Sequence, residues 1–159
     1  MEEVQTGYLR KGRLSNAERL IILQELGEIA SDRYDRYIES NKQGYNLDLL
    51  KGGLQYIPNI QTFENIYYVD TGSEELNKIS RFFEYGTGIY NTEFKHSTFI
   101  KPKNSKYLKF IGTNQYAGVT VFAQKVKGVR PIMMFQKTVK SMAQDREYLQ
   151  RDIRFWHGF

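Results

Sequence analysis

Apolar residues recur at helical spacing through "SNAERLIILQELGEIASDRYDRYIESN", where Leu20, Leu23, Leu26, Ala30, Tyr34, Tyr37 and Ile38 share one face. Ser15 opens the run and Glu18 follows three residues later, the spacing of a capping box in which each side chain answers the other's free N–H. The pattern predicts a helix over about 16–40. Gly27 is its weak point, because glycine inside a helix costs about 1 kcal/mol relative to alanine. "NKQGYN" ends the helix, and "LKGGLQYIPN" reads as an irregular connection around a Gly-Gly turn.

Period-two alternation in "QTFENIYYVD" predicts a strand bounded by Thr71-Gly72. "SEELNKISRFF" predicts a short helix capped by Ser73, with Leu76, Ile79, Phe82 and Phe83 turned to the core. Two more strands are predicted in "KYLKFI", with Leu108 and Phe110 on one face, and in "GVTVFAQKV", with Val119, Val121 and Ala123 on one. "IGTNQYAG" between them has the composition of a hairpin loop. Pro131 suits the first turn of a second long helix, where its missing N–H is no loss. Beyond it Phe135, Val139, Met142, Leu149, Ile153 and Trp156 fall on alternating steps, with Arg146 filling the one gap. That seam is too short for an independent coiled coil and predicts a helix packed on the sheet of its own domain. Together the elements predict an α+β fold, an antiparallel sheet with the N-terminal and C-terminal amphipathic helices on one face. One domain is expected over 1–159: an arm (1–14), a core (15–145) and a C-terminal extension (146–159) that contacts neighbouring subunits.

Composition narrows the class. The chain has 159 residues, 40% of them apolar, with 12 Tyr, 10 Phe and one Trp, enough to bury a core and exclude general disorder. Cysteine is absent, which excludes disulfides and thiolate metal sites. There is no run of about eighteen apolar residues, the length of a helical membrane span, so no membrane partner is expected. "MEEVQTGYLRKGRL" does not resemble a signal peptide, and a soluble protein made inside the cell is expected.

Charge changes the picture more. Between Phe94 and Gln144 there are ten Lys or Arg and no acid, while the rest of the chain holds 13 bases and all 18 acids, a net of −5. An acidic body joined to a basic stretch suits head-to-tail contact with copies of itself, an acidic partner, or nucleic acid. Lys101, Lys103, Lys106, Lys125 and Lys127 are the candidate contact residues. "KPKNSKYLKF" interleaves lysine with aromatics as a phosphate-holding, base-stacking surface would, although a half-buried strand alternates in the same way.

Catalytic chemistry finds little support. His96 and His157 lie in different segments without a second histidine at ligand spacing. Ser97 beside His96 lacks the strand–turn–helix setting of an acyl-transfer nucleophile. Glu74 and Glu75 suit a helix N-terminus better than a paired-acid site. Gly86-Thr87-Gly88 lacks the third glycine of a dinucleotide loop and the Gly-Lys-Ser/Thr of a Walker loop. Its glycines fit a sharp reversal at positive φ. Glu84, between Phe83 and Tyr85, needs solvent, a local backbone N–H or a basic group on another subunit. No enzyme activity, cofactor or metal is expected; a small hydrolase using Glu84 and His96 is the weakest of the readings.

Three stretches in series carry a resemblance: "FFEYGTG" at 82–88, "YLKF" at 107–110 and "VKGVRPIMMFQKTV" at 126–139. In this order the chain resembles the tail-completion, or neck, proteins of long-tailed bacteriophages. Their first signature, "VEFGTG", is matched by Glu84, Gly86, Thr87 and Gly88. Their second, "V-x-G-x-x-P" before a helix, is matched by Gly128 and Pro131, with Met134-Phe135 for the apolar pair. The resemblance implies a structural virion protein of the head–tail junction, assembled in the bacterial cytoplasm as a homo-oligomeric ring. It implies contacts with a portal-side connector or head-completion protein, and with a tail terminator or tail tube protein. DNA would pass nearby. Glu84, Gly86, Thr87, Gly88, the five lysines and Trp156 then become assembly candidates. The alternative is a basic nucleic-acid-binding accessory protein.

Overall fold

The computed structural model describes residues 13–41, 43–93, 98–111 and 118–159. Helix α1, Asn16–Glu39, starts at the expected capping box: Ser15 Oγ accepts from the Glu18 N–H, and Glu18 accepts from the Ser15 N–H. Ile22, Leu23, Leu26, Gly27, Ala30, Tyr34 and Ile38 form its buried face. The fold is α+β. Strands β1, Leu54–Asn59, and β2, Glu64–Val69, pair antiparallel and lie on α1. Helix α2, Glu74–Tyr85, begins at Ser73, whose Oγ accepts from the Leu76 N–H. Strands β3, Leu108–Ile111, and β4, Thr120–Ala123, form a second antiparallel ladder, and helix α3, Met134–His157, closes the order.

The strand at β1 was not legible as one. Pro58 and the Gly52-Gly53 turn favour an irregular reading, but in a two-stranded ladder both strands are edges, and an edge tolerates a residue without an N–H. Leu54↔Val69 and Tyr56↔Tyr67 face α1, while Ile57↔Ile66 and Gln55↔Tyr68 face outward. Asn65 fixes the ladder to the helix, its amide donating to the Leu23 carbonyl at 2.6 Å.

The strands form two separate ladders, and α3 lies mainly along α1, antiparallel to it. Arg33 donates to Ser141 and Asp145, both at 2.9 Å, and His157 pairs with Glu25 at the far end. Helix α3 starts at Met134 and not at Pro131, because Met133 takes a left-handed conformation (φ 59°) that ends the approach. Its deeply buried residues are Met134, Thr138, Met142 and Ile153, so the stripe is turned by one residue at its start; Phe135 and Val139 are only half-buried. The stretch 146–159, expected as an extension, continues α3 on the body through Leu149 and Ile153. Phe155 and Trp156 point away from that packing and are exposed.

Gly27, the weak point of α1, sits where β1 presses closest: a Cβ there would fall 2.4 Å from the Tyr56 ring. Gly27→Ala is therefore expected to give no gain in thermal stability, despite about 1 kcal/mol of helix propensity. In a Tyr56→Ala background the same change should stabilise by about that amount. Equal effects in both backgrounds, read by denaturant unfolding, would remove this account of the glycine.

Candidate assembly site

Two stretches about forty residues apart in the chain dock backbone to backbone. At the end of α2 the chain turns through Gly86 (φ 76°, ψ 171°), a region of conformational space open essentially to glycine. The Thr87 N–H then donates to the Val129 carbonyl at 2.9 Å, and the Ile89 N–H to the Lys127 carbonyl at 2.8 Å. The Val129 N–H returns a bond to Thr87 Oγ1 at 2.8 Å. Further along, the Ile132 N–H donates to the Phe83 carbonyl at 2.6 Å. The approach is close enough to exclude side chains: a Cβ on Gly88 would lie 2.1 Å from the Lys127 carbonyl oxygen, and one on Gly128 would lie 2.1 Å from that of Thr87.

Glu84 sits at the centre of this junction, 5% exposed. Its two carboxylate oxygens accept from the Phe135 and Gln136 N–H groups at 2.8 and 2.9 Å. These are among the N–H groups that the first turn of a helix leaves without an internal partner. Met133, at the cap position of α3, supplies no side-chain bond. Glu84 thus caps α3 from a distant segment, a negative charge where the helix dipole favours one. The partner is none of the three expected: it is a backbone N–H, not a local one but one 51 residues away in the chain. Its role as a charge available to another subunit is corrected accordingly: both oxygens are engaged inside the fold. One turn earlier on α2, Ser80 pairs with the Tyr34 hydroxyl at 3.2 Å, tying α1 into the same junction. Burial pushes the Tyr34 phenol above its ordinary pKa, partly offset by the Ser80 bond.

A cleft of about 400 Å³ opens beside Glu84, lined among others by Asn77, Ser80, Arg81, Tyr85 and Phe135. Arg81 is paired with Glu93. The lining contains no histidine, and no cluster among the described residues has three potential metal ligands. His96, named with Glu84 for the hydrolase reading, and Ser97 lie outside the described residues, as does most of the loop between β3 and β4.

The lysine candidates gather elsewhere. Lys101, Lys103 and Lys106 precede β3, Lys125 and Lys127 follow β4, and an isolated Ile100–Val126 bridge joins the two flanks. All five are exposed, and none has an ion-pair partner among the described residues. Lys125 lies over the Phe99 ring at 4.7 Å, and Lys106 over Tyr107 at 5.5 Å. Among the described residues, the ladder makes no substantial contact with any other helix or strand. Trp156 is 82% exposed at the far end of α3, apart from the glycine junction. The sequence offered lysines but not the outward apolar face of β1–β2, whose strand β1 it did not reveal. No helix among the described residues is long and apolar enough to cross a membrane.

No protein-family model, curated protein or solved structure matches the chain.

Proposed function

We propose that this chain is a structural virion protein of a tailed bacteriophage, a neck or tail-completion component that forms a homo-oligomeric ring between the DNA-filled head and the tail. One observation carries the reading. Two of the three stretches that bear the resemblance, "EYGTG" and "VKGVRP", are partners in space, joined where three glycines permit the backbones to meet. A shared reason for both motifs makes their joint occurrence more than a coincidence of short patterns. The junction is a scaffold: it sets the start of α3 against α2 and holds the base of the β3–β4 ladder. On this reading the protein acts by surface complementarity and not by catalysis. Its neighbours are a portal-side connector or head-completion protein above and a tail terminator or tail tube protein below, with DNA passing nearby.

The test is electron microscopy of lysates from a phage lacking the coding gene. DNA-filled heads and free tails side by side, with few joined particles, are expected. Empty heads would place the protein earlier in assembly, and normal joined virions would defeat the reading. The exposed lysines also favour a second reading, a nucleic-acid-binding accessory protein, for which binding to DNA by the monomer should weaken steeply with salt.

A further inference from the structure

We propose that the β3–β4 hairpin of one copy seats on the outward face of the β1–β2 ladder of the next. This deepens the ring reading by naming the two faces that meet. Little of the described chain supports this hairpin. Ile111 (72% exposed) and Phe122 (63%) share one face with Lys109 and Thr120 and are open to solvent, and no other helix or strand among the described residues packs substantially on it. A lone two-stranded hairpin is marginally stable in water, so covering this one stabilises it.

Chemistry selects the occupant. Of the eight residues in the two strands only Lys109 is charged, while the other lysines cluster at the hairpin's base. A ribbon built to follow phosphates would carry charge along its length. Exposed apolar residues with charge gathered at one edge instead suit a protein interface, whose core is apolar and whose rim is polar. The required counterpart is an apolar patch with an acid at its edge, and this chain has one. Along the outward side of β2, Ile66, Tyr68 and Asp70 are exposed, with Ile57 across from Ile66, while Glu64 at the other end pairs with Arg146 of its own chain. Asp70 closes the apolar run at one end, and the lysines at the hairpin's base are the charge it meets. The Gly72 N–H, and then Asn77, hold the Asp70 carboxyl below its ordinary pKa, keeping it charged. Because the two patches differ, the contact is heterologous, and repetition builds a ring or a filament.

The absence of native cysteine makes cross-linking a clean test. Full-length Phe122→Cys protein is mixed with a tagged Ile66→Cys protein and treated with diamide. The mixed disulfide dimer is expected to exceed either homodimer at least tenfold. A Glu75→Cys protein, its cysteine on α2, should give only background with Phe122→Cys. Reversing Lys106 and Lys125 to Glu should lose most of the mixed dimer and leave the thermal midpoint unchanged. Phe122 homodimers in excess would show hairpin pairing with hairpin and overturn the proposal. So would loss of the cross-link on adding duplex DNA that the protein shifts in a gel. The contact and the neck reading fail separately. A protein multimeric by light scattering, or monomeric, without the mixed cross-link overturns the contact alone; joined virions without the gene overturn the neck reading alone.

Discussion

Gly88→Ala is expected to destabilise the protein by about 4 kcal/mol, lowering the thermal midpoint by about 12 °C for a chain of this size. Two effects combine. The residue has φ of 61°, where a side chain costs about 1–2 kcal/mol. The new Cβ would also lie 2.1 Å from the Lys127 carbonyl oxygen, a backbone atom that no rotamer change can move. The segments must separate, and the bonds from Thr87 to Val129 and from Ile89 to Lys127 lengthen or break, at about 1 kcal/mol each. Gly72→Ala is the control: its φ is 79°, but nothing lies within 4 Å of its Cβ position. It should cost only about 1 kcal/mol. Equal losses in the two variants, measured by calorimetry, would show that conformation matters at Gly88 and close approach does not.

What the sequence revealed follows a simple physical division. Local devices were legible: the Ser15–Glu18 box, the Ser73 cap, the buried stripe of α1, and the faces on which Leu108 and Phe110 meet Ala123 and Val121. Each depends on residues within a few positions of one another. Partners set by tertiary contact were not. Gly27 read as a defect because Tyr56, which fills the space of its missing side chain, is 29 residues away. Pro131 suits a first turn by its own chemistry, yet the start of α3 is fixed by Met133 and by Glu84. The expectation of one sheet under both helices had a similar cause. Alternation shows that a strand has two unlike faces, but not which strands share a ladder. The glycine segments were recognised as shaped turns, while their contact with each other rests on a pairing that no periodicity encodes.

Glu84→Ala is expected to cost about 3 kcal/mol and lower the midpoint by about 9 °C. The variant removes both acceptors from the first turn of α3, leaving the Phe135 and Gln136 N–H groups part-buried without a partner. Hydrogen bonds to a charged group contribute about 1.5–3 kcal/mol, and an orphaned buried donor costs about 1–3. Glu84→Gln retains one carbonyl acceptor and loses the charge facing the helix dipole, so about 1–2 kcal/mol is expected. Glu75→Ala, removing an exposed acid from the first turn of α2, should stay within about 0.5 kcal/mol. Amide exchange supplies the local readout, since Phe135 and Gln136 should exchange faster in Glu84→Ala, while amides in the middle of α1 change only with global stability. Assembly separates this role from an intersubunit one. If Glu84 acts by holding α3 in place, its loss weakens assembly equally at low and high salt, whereas reversing Lys106 or Lys125 changes the salt dependence itself. A salt dependence altered by Glu84→Ala, with the midpoint unmoved, would return the carboxylate to the surface between subunits.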